Sequence, residues 1–276
     1  AVVFDFGGVL ITSITNQLSK LAERHATDVP TMLTIMLGPH ESGDHPWHRA
    51  ERGEIAVADI QNSLKPWASQ HDIELHGDEI DALNAQYVSQ GITFRVLKGI
   101  EADILPCGRV DYDAAFLDRF DFVIGSVHSR YGMNERQMTD RVLKALDDPH
   151  LTILGHPTGR LLLTREPYAI DIAAIIEKAG AVGVAMELNA DPHRLDIDWR
   201  ACRVAQEKGA LVSIGPDAHS PQGFDHLELG IANARKGWLT PANVLNTRSA
   251  DEVLAFARAR RDGAGATAPY LRVMQG

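Results

Sequence analysis

From about residue 80 onward the chain alternates short β-rich runs with amphipathic stretches, and no other feature restricts its fold as much. The β-rich runs are 96–105, 122–127, 151–154, 182–188 and 211–214. Helix-period stretches lie between and after them at 134–145, 168–178, 199–208 and 224–234. Parallel neighbours cannot be joined by a tight turn and need a crossover element, so this order predicts an α/β fold built on a parallel sheet. Further helical segments are expected at 241–245 and 251–261, followed by a Gly/Ala-rich tail from Asp262 that carries no element of its own.

The first third reads differently. Residues 1–5 form a short apolar strand-like run, Gly7-Gly8 a turn, and then the period becomes helical: Leu18, Leu21 and Ala22 begin one stripe, Met32, Ile35 and Met36 another, and residues 55–67 a third. Ala1 stands already inside the apolar run, which is what a cut end looks like. Charge is also uneven, with 5 Lys and Arg against 12 Asp and Glu in residues 1–80, in a chain of net charge −10. Counterion release from a nucleic-acid backbone needs a basic surface, so strong stand-alone nucleic-acid binding is not expected. No apolar run is long enough to span a membrane and no signal-peptide order opens the chain, so no membrane role and a cytoplasmic location are expected. Cys107 and Cys202 form no CxxC pair, which argues against a thiolate zinc site and a disulfide framework.

Metal-capable side chains recur at the ends of the expected strands: Glu101, His128, His156, Asp217 and His219. Any one of them alone is most simply a satisfied polar residue. Together they form a ligand set, because the carboxyl ends of parallel strands converge on one face. Imidazole and carboxylate donors suit Zn²⁺, Mn²⁺ or Fe²⁺. Arg160, four residues after His156, is placed to clamp a phosphate or to pair with a neighbouring carboxylate, and both readings stay open. His150 and His226 read as solvated, His45 and His48 as structural or surface residues, and Trp199 and Trp238 as helix-face residues packing on the sheet.

The strings at 96–105 (VLKGIEADIL), 123–129 (VIGSVHS), 153–162 (ILGHPTGRLL), 187–190 (ELNA) and 217–220 (DAHS) resemble, in order and spacing, the PHP (polymerase and histidinol phosphatase) domain of bacterial family X DNA polymerases. The resemblance implies a distorted seven-stranded (β/α) barrel with a trinuclear metal centre, of which about five strands are present. It also implies that Glu101 bridges two ions, that His128 and His156 complete the second site, that Asp217 serves the first and that His219 serves the third. Four histidines that open the family pattern are missing here, so one tightly held ion is expected, in the site that keeps Glu101, His128 and His156.

Residues 1–80 resemble another family. VFDFGGVL (3–10) looks like the first motif of haloacid dehalogenase-like hydrolases, and residues 44–55 look like their helical cap; the match makes Asp5 a nucleophile. The remaining motifs of that site never follow. The chain therefore divides, on sequence, into a fragment at 1–80 and a PHP-type domain at 81–276. The expected activity is phosphoester hydrolysis, with Glu101, Asp217 and Arg160 as catalytic residues and a small phosphomonoester or a nucleic-acid 3′ end as substrate. The alternatives are an inactive chimeric remnant that binds about one metal, and a phosphatase working through Asp5.

Overall fold

Helix starts in the second half of the chain are set by capping side chains. Asn134 and Ser249 form capping boxes with Gln137 and Glu252, while Asp113, Asp171 and Asp198 each accept from a backbone N–H in the first turn of their helices. The computed structural model describes residues 79–218, 221–263, 27–37 and a few isolated positions between 22 and 64. These fall into two compact units, with the break between Phe94 and Arg95.

In the unit before the break, α1 spans Val29–Leu37 and α2 spans Glu79–Ser89. Asp28 Oδ1 accepts the Thr31 N–H at 2.7 Å, and Tyr87 meets Phe94 edge-on with centroids 5.8 Å apart. The expected strand at 1–5, Asp5, and His45 and His48 lie outside the described residues, as do His219 and the tail beyond 263.

The unit after the break is a five-stranded parallel sheet in the order β1-β2-β3-β4-β5. The strands are Gly99–Asp103, Phe122–Ser126, Leu151–Leu154, Ala185–Asn189 and Val212–Gly215. Between them run α3 (Ala114–Leu117), α4 (Glu135–Ala145), α5 (Ile172–Val182) and α6 (Trp199–Glu207). After β5 come a 3-10 turn (Pro221–His226), α7 (Leu227–Lys236), two short 3-10 turns and α8 (Ala250–Arg261). Sequential parallel order with right-handed crossovers puts the connecting helices on one side of the sheet. On that side Ile100, Ala102, Val123, Met186, Leu188 and Val212 pack with Met138 and Val142 of α4, Ile175 of α5 and Ala205 of α6.

The other face is divided along the strands. Near their amino ends Phe122, Ile124, Ile153 and Ala185 pack against Val253, Leu254, Phe256 and Ala257 of α8. The end of that helix is tied down by arginine. Arg260 donates to the carbonyls of Leu146 and Asp148, ahead of β3, and of Val182, the last residue of α5 before β4, while Arg261 donates to that of Phe120, ahead of β2. Further along the same face the residues turn polar: Glu101, Ser126, Glu187, Asn189 and Ser213. The outer edge of β5 is partly covered, since the Asn246 side chain takes up both backbone groups of Ile214.

Several expectations change in detail. The first strand is shorter than 96–105, so Glu101 sits in its middle and not at its end. Helix α5 begins at Ile172 and not at 168, because Asp171 caps it and Tyr168 is committed to the preceding loop through its hydroxyl bond to the Pro157 carbonyl. The helical segment expected at 241–245 is 3-10 in character, Pro241–Asn243 followed by Leu245–Thr247. Trp238 does not pack on the sheet: it follows Gly237 with φ +66° and is 70% exposed, with the Arg203 guanidinium over its ring. His150 is not solvated but is held between Asp118 and Asp148. No helix among the described residues is long and apolar enough to cross a membrane.

Candidate metal centre

Alternation along β1 sends Ile100 and Ala102 into the helix-side core and turns Glu101 and Asp103 to the opposite face. His128 follows β2 by two residues and His156 follows β3 by two, so both imidazoles overhang the carboxyl end of the sheet. They converge on one oxygen: Glu101 Oε1 lies 3.3 Å from His128 Nε2 and 3.1 Å from His156 Nε2. The two rings meet edge to face with centroids 5.1 Å apart. One donor atom from each of these three residues lies within 4.8 Å of the others, the one such group among the described residues.

The imidazoles are held in different ways. His156 is 5% exposed and its Nδ1 is buried without a hydrogen-bond partner, so the nitrogen on the pocket side is Nε2. Its backbone N–H donates to Glu187 Oε2 at 2.6 Å, and its carbonyl accepts from Gly159 in a tight turn. Gly159 has φ +61°, and a Cβ there would lie 2.3 Å from the Tyr168 ring, so the turn that carries His156 requires glycine. His128 is 38% exposed, and its Nδ1 lies 2.6 Å from Asp103 Oδ1.

Electrostatics follow from this packing. Burial alone would raise the Glu101 carboxyl, but hydrogen bonds from His128 and His156 outweigh it and hold the group well below the usual carboxylate range. The hydrogen bond to Glu101 raises the His128 imidazole to about 9; burial opposes the rise and Asp103 adds to it. Glu187 behaves in the opposite sense to Glu101. Burial inside the sheet, followed by the negative charge of Asp217, pushes it well above the usual range, against the His156 N–H.

Asp217 lies two residues beyond β5 with φ +50°, a conformation that Asp tolerates better than most residues. Asn189 Nδ2 donates to its Oδ2 at 3.0 Å, and Arg194 Nε lies 3.4 Å from the same atom. Glu101, His156, Glu187, Asn189 and Asp217 line one pocket of about 40 Å³, room enough for an ion with a water or two. Arg160 is not among the residues that line it. Its Nε donates to the Arg194 carbonyl at 2.8 Å and its Nη2 to that of Leu195, so the guanidinium braces the loop that sets Arg194 against Asp217.

Sequence reasoning gave no role to Asp103, Glu187, Asn189 or Arg194. A signal existed for three of them, since Glu101/Asp103 and Glu187/Asn189 are polar residues two apart in strands whose alternate positions are apolar. Two imidazoles and a carboxylate facing one another, with the second nitrogen of one imidazole on a carboxylate, fit a first-row divalent cation.

No protein-family model matches the chain. It is related by sequence to the DNA polymerase/3′-5′ exonuclease PolX of Bacillus subtilis, 44% identical over 204 residues that cover 73% of this chain and 35% of that protein. The chain thus spans about a third of the length of PolX. A protein described as "Probable phosphatase" from Syntrophotalea carbinolica is 29% identical over 171 residues, 59% of this chain and 68% of that one. Among solved structures, the histidinol phosphate phosphatase of Lactococcus lactis, complexed with zinc, L-histidinol and phosphate, aligns with a TM-score of 0.43 and 15% identity, covering 61% of this chain and 76% of that one.

Proposed function

We propose that residues 81–276 form a metal-dependent phosphoesterase of the PHP type, a sheet-based remnant of the seven-stranded barrel. The observation that carries this reading is the convergence of Glu101, His128 and His156 donors within 4.8 Å at the carboxyl end of a parallel sheet. The relatedness to a 3′-5′ exonuclease and to proteins described as phosphatases supports the reaction class. In this reading Glu101, His128 and His156 hold one zinc or manganese ion tightly, while Asp217, with Glu101, and His219 belong to two incomplete sites that bind far more weakly. A divalent cation there supplies Lewis acidity toward a phosphoryl oxygen and lowers the pKa of a coordinated water.

The chain's own residues arrange the rest. Asn189 and Arg194 orient the Asp217 carboxylate toward the pocket, and Arg160 holds the loop that carries Arg194. Glu187 anchors the turn of His156 from beneath. The substrate is a small phosphomonoester or the phosphodiester of a nucleic-acid 3′ end.

The test is metal content after incubation with zinc or manganese, together with turnover of an aryl phosphate monoester and an aryl phosphate diester. About one ion per chain with turnover supports the proposal, and an ion without turnover assigns the chain as an inactive remnant. Absence of tightly bound metal overturns the reading. Asp5→Ala in the same assay should leave turnover intact; its loss would move the chemistry to the segment that resembles haloacid dehalogenase-like hydrolases.

A further inference from the structure

We propose that Asp103 is a positioning residue for the metal centre, holding the half-exposed His128 ring in the tautomer and orientation that reserve Nε2 for the ion. The inference rests on the reading of Glu101, His128 and His156 as ligands, and it assigns a role to a residue outside that ligand set.

The geometry begins with strand parity. Glu101 and Asp103 are two apart on β1 and therefore share a face, separated along the strand by about 6.6–6.8 Å. That spacing matches a single imidazole laid between them. His128 Nδ1 is 2.6 Å from Asp103 Oδ1 and Nε2 is 3.3 Å from Glu101 Oε1, so the ring spans both carboxylates. An ionised carboxylate offers only acceptors, so the nitrogen on Asp103 carries the proton. Nε2 faces the Glu101 carboxylate in the same way, so a cation that enters the shared site displaces the Nε2 proton while Nδ1–H stays on Asp103, and the lone pair then falls on Nε2.

The contrast between the two histidines explains why one of them needs such a partner. His156 is buried at 5% exposure and its orientation is fixed by packing and by the Glu187 anchor. His128 is 38% exposed on a loop and has no comparable enclosure. A side chain in that position loses rotamer freedom on binding an ion unless something has already restricted it, and the short bond to Asp103 provides that restriction. Asp103 is itself half exposed.

The experiment is a double-mutant cycle read as zinc affinity, by competition with a chromophoric chelator, in the full chain. Asp103→Ala should weaken zinc binding by about 10- to 100-fold. Asp103→Asn, whose amide oxygen still accepts from Nδ1–H, should weaken it less. In a His128→Ala background, Asp103→Ala should change affinity by less than about twofold, because a positioning residue acts only through the ligand it positions. Nitrogen NMR of the zinc-loaded protein should find the His128 proton on Nδ1, and metal-free melting temperatures identify any variant that misfolds, in which case Asp103→Asn carries the comparison.

The proposal is overturned if Asp103→Ala binds zinc as the wild type does while His128→Ala does not, an outcome that leaves the ligand reading intact. It is also overturned if the full loss persists in the His128→Ala background, since Asp103 would then act as a nearby charge. A wild-type chain that binds no zinc removes the ligand reading and this inference together.

Discussion

At the amino ends of the strands, Phe122, Ile153 and Ala185 meet α8 in a cluster without polar side chains. Farther along the same face, Glu187, Asn189 and Ser213 line a pocket together with His156 and Asp217. The two ends share strands, register and face, yet they do opposite thermodynamic work. Apolar burial at the first contributes about 25 cal/mol per Å². At the second, buried carboxylates and an imidazole cost free energy unless something pairs them. Asp217 and His156, both on the polar end, adopt positive φ. One end holds the sheet together so that the other can hold donors in an unfavourable arrangement.

Substitutions at the two ends should therefore separate function from stability. The largest effect is expected from His156→Ala, which removes one of three donors and should lower zinc affinity and any turnover by more than about 100-fold. Calorimetric titration and phosphatase assays check it, and zinc binding that survives would erase the distinction between the ends. Next comes Phe122→Ala at the apolar end, buried to 1% exposure. It should cost about 3–5 kcal/mol in urea unfolding while the molecules that remain folded bind zinc with the same stoichiometry.

Glu187 tests the boundary between the two ends. Burial and the charge of Asp217 push its carboxyl toward the neutral form, and the uncharged amide keeps an acceptor of the same shape, so Glu187→Gln should leave stability within about 1 kcal/mol of wild type. Glu187→Ala strips the acceptor from the His156 N–H and should cost about 1–3 kcal/mol. Equal losses in the two variants would mean that the ionised form is the one the fold needs.

The smallest effect concerns pH. His128 in the metal-free protein is raised from 6.5 to about 9, so its contribution to stability is full below pH 6.5 and disappears as pH rises through 9. Solvent screening at this partly exposed site keeps it below about 1 kcal/mol. Comparing metal-free wild type with His128→Ala between pH 6 and 10 should show the wild-type advantage shrinking, and an advantage that grows with pH would contradict the ion-pair account.

Much of this architecture is legible in the chain. All five strands fall on the β-rich runs, and the helices from α4 onward fall on the amphipathic stretches, because period 2 and period 3.6 are written into local order. The members of the candidate group, Glu101, His128 and His156, are equally local, since each stands in or just after a strand. Sequence could also supply the parity that pairs Glu101 with Asp103. It could not find that Trp238 is left in solvent or that His150 is enclosed by two aspartates, because each depends on which neighbours the helices bring up.

Charge states lie beyond sequence for the same reason. Glu101 and Glu187 are the same residue type, each in the middle of a strand, yet one is held ionised by two imidazoles and the other is pushed toward its neutral form by burial and Asp217. The partners responsible are distant in the chain: His156 lies 55 residues from Glu101, and Asp217, which acts on Glu187, stands on the loop after β5. The sequence by itself determined the parallel α/β order and the side chains able to bind a metal. Tertiary structure decided which of them share a pocket and in what protonation state, because Coulomb interaction and desolvation depend on through-space distance and burial, which only the folded chain sets.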